Sequence, residues 1–429
     1  MKGRTVILWL LAVLFTGCLV SCSKEDDPQA GTYQKVLLLY SAGYNNLYFD
    51  LKEDINEMCQ DAPTRFLSGA YKVIVFSHLK YSSYDGPVLI DATIGSGGKV
   101  KLDTLVRYPS NTVSASAQTF SDVLHYVKEN YPAREYGMII SSHASGWVPA
   151  GYFNNPEVNG GWDWDNAVLL PRNAASHQEL YYTAERPEVK SLCYQDVSSG
   201  MAPEIDLTDF SDAIRANGLH FKYIVFDMCL MGGVEVAYEL RDIVDYVAFS
   251  PTEVISDGFA YKTILQRLLY SPSTDILGVC TDYFDQYVKS RKTATVSAVD
   301  CRRLGNLAAV CAGLFEKYRS EIKALDQSLD VDRGGVQYYC DLQYRRYFFD
   351  LRDVLVKAGI SNGDLSQLDA ALGQCVLYHN ETSYFSVRGE YFKLENCCGL
   401  SMYLSDSKRP ILNGAYKESA WNKATSLVE

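Results

Sequence analysis

The 429-residue chain has no low-complexity tract and no internal repeat, which excludes solenoids, propellers and disordered arrays. It has no excess of positive charge: 40 Lys and Arg against 52 Asp and Glu leave a formal net charge of −12. Such a chain would repel phosphate backbones, so no nucleic-acid partner is expected, whereas basic substrates are compatible. There is no Cys-x-x-Cys pair and no His/Cys cluster at zinc spacing, so a structural zinc site is not expected. No Gly-x-Ser-x-Gly elbow follows an apolar strand, which removes the serine hydrolases built on that turn. The 12 cysteines follow no regular spacing, and a chain of this length can bury a core without a disulfide framework. The vicinal pair Cys397-Cys398 reads as small buried residues near a strand.

What is present is the composition of a folded globular protein, 47% hydrophobic and 21% charged, in a length that suits one large domain or two ordinary ones. At the N-terminus, Lys2 and Arg4 precede "VILWLLAVLFTG". That run is too short to span a membrane comfortably and has the length of a signal-peptide core. It leads into "LVSC", which resembles the lipobox of bacterial lipoproteins, with Cys22 as the lipidated first residue of the mature chain. "FTGC" around Cys18 fits that pattern less well, and an ordinary cleaved secretory signal is the alternative. Acidic residues in the following "SKEDDPQAG" resemble a surface-export signal of Bacteroidetes-like lipoproteins. Residues 1–22 are therefore read as a lipoprotein signal peptide and 23–34 as a linker. The expected location is the cell envelope, as an outer-membrane lipoprotein displayed at the surface and tethered through its N-terminal lipid.

From residue 35 short apolar runs alternate with amphipathic stretches. "KVLLLYSAG", "KVIVFSH", "YGMIISSH", "KYIVFDMC" and "YVAFSPTE" read as buried strands, and "PVLIDAT" as a short antiparallel one. "YFDLKEDINEMC", "TFSDVLHYVKENYPA" (with a Thr cap and a stop at Pro132), "LTDFSDAIRANG" and "GVEVAYELRDIV" read as helices. This alternation predicts an α/β fold with a mainly parallel sheet between helices over residues 35–290. Beyond it, "CRRLGNLAAVCAGLFEKYRSEI" and "SQLDAALGQCVLYHN" read as long helices of a helix-rich C-terminal subdomain, 291–429. "GLSMYLS" reads as a late strand joining the main sheet.

In a parallel sheet the C-terminal ends of the strands share one edge, and ligands bind there. His143 and Cys229 each fall on a polar, Gly-containing turn after an apolar strand. An imidazole beside a thiol favours the thiolate and so makes a nucleophile. "CLMGG" also leads into a helix, which would aim backbone N–H groups at an oxyanion. Each residue has a plain structural alternative, a core-filling Cys and a hydrogen-bonded turn His.

"HASGW" at 143–147 and "DMCLMGGVEVAYEL" at 227–240 resemble the His and Cys blocks of the clostripain family of cysteine peptidases, which have a caspase-like fold. "LLLYSAGYNNL", "SPTEVISDGFAY", "FFDLRDVL", "GLSMYLS" and "YKESAWNKAT" also resemble family blocks, so the likeness extends over residues 35–426. The resemblance implies Cys229 as nucleophile and His143 as catalytic imidazole. It implies the main-chain N–H groups of Cys229 and Ala144 as oxyanion donors; the family usually carries Gly at the second position, and if that Gly has a positive φ, alanine there is strained. It further implies Asp227 at the floor of the pocket for the residue preceding the scissile bond (P1), with Glu253 lining the same pocket, and hence a peptide or protein substrate with basic P1.

Some members of the family cut themselves between the two blocks, and Arg172 and Lys190 are the candidate sites here. Asp163 and Asp165 in "NGGWDWDN" are too few to define a calcium site. No metal ligand is assigned and no cofactor is required, though calcium is left open. The expectation is a lipid-anchored cysteine endopeptidase acting after Arg or Lys. Its rival is a catalytically weak or inactive surface lipoprotein of the same fold that binds peptide or glycan.

Overall fold

The computed structural model describes residues 32–60, 69–94, 100–152, 192–196, 202–326, 335–340, 346–387, 390–407 and 409–429. Cys22, Asp163, Asp165, Arg172 and Lys190 lie outside the described residues.

Near-continuous apolar runs become strands here because both faces of the sheet are covered by helices, so every side chain along the run is buried. In β1 (Tyr33–Gly43) all residues from Val36 onward are buried. Val36, Leu38, Tyr40 and Ala42 point into one core, and Leu37 and Leu39 into the other. β2 (Tyr71–Leu79) pairs parallel to β1, and β3 (Val88–Ile94) and β4 (Val100–Arg107) continue outward antiparallel. On the other side of β1 lies β5 (Ala133–Ser141), parallel to it. β6 (Leu192–Tyr194) and β7 (Glu204–Ile205) form a small separate pair. β8 (Phe221–Asp227) runs parallel to β5, and β9 (Val244–Phe249) parallel to β8. β10 (Thr295–Asp300) adds to β9 antiparallel; β11 (Phe349–Asp350) lies elsewhere; β12 (Val376–Glu381) closes the edge against β10. The resulting order is β12-β10-β9-β8-β5-β1-β2-β3-β4. The chain departs from β1 to opposite sides, to β2 and to β5, which opens a crevice beyond the C-terminal ends of β1 and β5.

Three local expectations are corrected. The helix over 117–130 is capped by Ser116, whose Oγ accepts from the Thr119 N–H at 3.2 Å, rather than by a Thr. "SQLDAALGQCVLYHN" is helical only to Cys375, and "VLYHNE" then becomes the edge strand β12. β13 (Tyr384–Val387) and β14 (Glu390–Lys393) form a hairpin, and β15 (Ser401–Met402), in "GLSMYLS", pairs with β11 instead of entering the main sheet.

Sheet and core also run on past residue 290: β10 and β12 complete the same sheet. Trp147, in the turn after β5, packs against Tyr403 and Tyr416 at ring-centroid distances of 4.7 and 4.9 Å. The ten described cysteines all carry free thiols, eight of them buried, as small apolar packing residues.

Candidate active site

The last paired residues of β5 and β8 are Ser141 and Asp227, which face each other in register. His143 and Cys229 each stand two residues further on, so the two predicted side chains leave the sheet at the same level. Both line one cleft of about 200 Å³, together with Leu47, Asp54, Asp227 and Glu253.

His143 is buried, and its Nε2 lies 2.6 Å from Asn46 Oδ1. An amide oxygen can only accept, so Nε2 carries the proton and Nδ1 is the nitrogen that can take one up. Asn46 belongs to "YNNL", the turn after β1, which the strand order sets beside the turn after β5. Its neighbour Asn45 holds the turn in place. The Asn45 side-chain amide donates to the carbonyls of Ala42 (3.2 Å) and Tyr194 (2.8 Å), and its Oδ1 accepts from the Leu47 N–H at 2.9 Å. Tyr194 in turn meets the imidazole edge-on, with ring centroids 6.2 Å apart. In the "HASGW" turn the left-handed conformation falls on Gly146 (φ +62°), not on Ala144. The strain anticipated for alanine at 144 is therefore absent. Ala144 instead forms an isolated bridge to Leu192.

Cys229 is half-buried, and its Sγ makes a weak contact at 3.6 Å with the Val254 carbonyl. Leu230, directly after it, has φ +61°, a conformation that costs a non-glycine residue about 1–2 kcal/mol. Full burial of its side chain and a 2.9 Å hydrogen bond from its N–H to the Thr252 carbonyl hold it there. The Gly232 N–H likewise donates to Ser250 O at 2.8 Å, and the following helix begins only at Val234. This corrects one expectation: the N–H groups of Leu230 and Gly232 serve the loop after β9 and do not face an oxyanion. Gly232 is required by close approach, since a Cβ there would lie 2.4 Å from the Pro251 nitrogen.

Asp227 is buried below the thiol. Its Oδ2 accepts from Ser141 Oγ at 2.9 Å and from the Tyr261 hydroxyl at 2.8 Å. Burial pushes its carboxyl above the ordinary range, and these two hydroxyls with the Phe259 N–H work against that shift. Glu253 is also buried along the same cleft. Sequence reasoning missed two residues. Asn46 lay inside a quoted block but had no partner until the strand order supplied His143. Asp54 sits on the helix Tyr48–Gln60, in a buried stripe with Leu51, Ile55 and Met58. A charge at that helical spacing was the available signal.

The clostripain family model matches residues 174–409, more than half of the chain. The protein belongs to the clostripain family. The matched span holds Asp227, Cys229 and Glu253 and begins after His143. Clostripain of Hathewaya histolytica is 25% identical over 261 residues, an alignment covering 55% of this chain and 42% of that protein, so less than half of that relative's length is represented. Among solved structures, an inactive zymogen of a C11 protease from Parabacteroides distasonis superposes with a TM-score of 0.72 at 22% identity, over 92% of this chain and 98% of that one. A secreted C11 cysteine protease from Bacteroides thetaiotaomicron gives 0.69 at 21% identity, over 92% and 99%. At these identities the likeness shows the fold, which is the caspase-like arrangement of a mainly parallel sheet between helices.

Proposed function

We propose that this clostripain-family protein is a cysteine endopeptidase in which Cys229 is the nucleophile and His143 the acid–base group. The observation that carries the reading is the register: a thiol and an imidazole, each two residues past the paired Ser141 and Asp227, open on one cleft that Asp227 also lines. The Cys229 thiolate attacks the scissile carbonyl carbon; as the C–S bond forms and the C–N bond breaks, His143 gives a proton to the leaving amine. Water then attacks the thioester, His143 takes its proton, and the acid product leaves with the thiol restored. Asn46 keeps the imidazole oriented through both steps and stabilises its protonated form. The main-chain N–H groups of Cys229 and Ala144 are the proposed oxyanion donors. Asp227, with Glu253 beside it, selects Arg or Lys at P1.

The same proposal has the chain exported and tethered by lipid on Cys22, and lets it process itself at Arg172 or Lys190. To test the chemistry, the full chain is incubated under reducing conditions with fluorogenic Arg, Lys and Ala peptides, beside Cys229→Ala. Arg and Lys turnover that disappears in the variant is expected. Turnover that persists in Cys229→Ala would remove the assigned nucleophile.

A further inference from the structure

The proposed pocket for a basic side chain has two assigned carboxylates, Asp227 and Glu253, and Asp227 is already held by protein donors. Ser141, Tyr261 and the Phe259 N–H all donate to it. Gly258 crowds it as well, with a Cβ position only 2.9 Å from Oδ2. Asp54 lines the same cleft from the helix Tyr48–Gln60, the first element after β1. It is 7% exposed, and no donor among the described residues reaches it. Lys262, which could have neutralised that helix face, pairs instead with Glu57 at 3.0 Å.

An ionised carboxylate on the apolar stripe of a helix is destabilising, because burial strips part of its hydration and no described donor replaces it. Burial, then the charge of Asp227, and then Glu57, Asp50 and Glu53 all push the Asp54 carboxyl strongly upward. Asp54 neither caps its helix nor closes an ion pair, so the fold gains nothing from it. An arriving cation supplies the missing partner and stabilises the ionised form.

We infer that Asp54 is a further specificity-determining carboxylate of this cleft, and that a basic P1 side chain is held between Asp54 and Asp227. The inference rests on the reading of the cleft as a pocket for a basic residue. A guanidinium carries five N–H donors in one plane, more than Asp227, with three protein donors already on it, can accept, so a further acceptor in the cleft suits Arg in particular.

The test compares wild type, Asp54→Asn and Asp227→Ala, each as the full chain, on matched peptides with Arg, Lys or Ala at P1. Loss of one charged hydrogen-bonding partner predicts a roughly ten- to hundredfold rise in KM for Arg in Asp54→Asn, a smaller rise for Lys, and none for Ala. As a readout independent of turnover, acetyl-arginine amide and its norleucine counterpart are titrated calorimetrically into Cys229→Ala with and without Asp54→Asn. Only the arginine ligand should weaken. Exchanging a buried carboxyl for an amide of the same size should leave the midpoint of thermal unfolding unchanged or raised. An Asp54→Asn protein that keeps the wild-type KM for Arg while Asp227→Ala loses it overturns the assignment of Asp54 alone. Equal losses on Arg and Ala peptides would overturn it too, by making the residue structural. A wild type that cleaves Ala peptides as well as Arg peptides would overturn the basic-pocket reading, and Asp54 with it.

Discussion

Glu235 offers the sharpest test of how the turn that carries Cys229 is supported. It stands on the short helix Val234–Glu239 that follows Cys229 and is 2% exposed. Its Oε1 accepts from the Tyr403 N–H and the Tyr416 hydroxyl, both at 2.8 Å, which ties this helix to the C-terminal segment. Its Oε2 is buried with no hydrogen-bond partner among the described residues. Burial, only partly opposed by these hydrogen bonds, raises the carboxyl from 4.5 to about 7. Below pH 4.5 the group is neutral in both folded and unfolded chains, and the folded state keeps its full stability. Between 4.5 and about 7 the unfolded chain ionises first, so stability falls as pH rises; above about 7 the folded state ionises too and the loss levels off. At about 1.4 kcal/mol per pH unit, the total is about 3 kcal/mol.

Urea unfolding from pH 4 to 8.5 of wild type and Glu235→Gln would measure it. Asp350, buried and raised to about 6, weakens both proteins over the same range, so the difference between them isolates Glu235. The amide of the glutamine adds only a pH-independent offset. Wild type should lose about 3 kcal/mol relative to the variant, mostly between pH 4.5 and 7. A difference that stays flat, or that grows in favour of wild type as pH rises, would mean that Glu235 is ionised in the fold and would refute the argument.

Asn46→Ala removes the 2.6 Å acceptor from the imidazole, and since a hydrogen bond to a charged group contributes about 1.5–3 kcal/mol, kcat should fall roughly ten- to hundredfold. Asn46 is exposed, so the urea midpoint should scarcely move; a fall in stability with unchanged kcat would make it a structural residue. Gly232→Ala forces a Cβ against the Pro251 main chain and should cost about 1–3 kcal/mol, read by urea unfolding, while displacing Cys229 and slowing its alkylation by iodoacetamide. Self-processing predicts two fragments on a denaturing gel for wild type and one chain for Cys229→Ala, with the cut abolished by replacing whichever of Arg172 and Lys190 precedes it.

His143 and Cys229 were legible because their signals are local. A buried parallel strand writes itself as an apolar run, and parallel strands bring their C-terminal ends to one edge whatever their order. β3 was legible for the same reason, as a short run bounded by turn residues. What depended on pairing was not. β12 follows Cys375 directly, and the nearby Gly373 lies inside the helix with no Gly or Pro after it to mark the boundary, so helix and strand merge in "GQCVLYHN". β15 met β11 rather than the main sheet because partner choice is decided by tertiary packing, which no local pattern records. The "CLMGG" turn misled because glycines before a helix suggest open N–H groups. The loop after β9, distant in sequence, takes the N–H groups of Leu230 and Gly232.

Asp227 and Asp54, two of the three carboxylates of the cleft, show where reading a pattern and reading a structure diverge. Asp227 drew notice because it ends an apolar strand, yet a polar residue at a strand end is usually satisfied there, and Ser141, Tyr261 and Phe259 satisfy it. Asp54 drew none, because "YFDLKEDINEMC" is rich in acidic residues and one more looks like solvated surface. Counting only the buried positions reverses that judgement. Leu51, Asp54, Ile55 and Met58 form one stripe, whereas Lys52 and Glu53 are exposed. An acidic residue in such a stripe must find a donor within the fold, hold a proton, or wait for a ligand. No described donor reaches Asp54, and burial and the neighbouring Asp227 charge push its carboxyl upward, a shift that a cation would offset. The third alternative, which the proposed P1 role of Asp54 adopts, would also account for Asp54 lying in the same cleft as Asp227, Glu253 and the thiol.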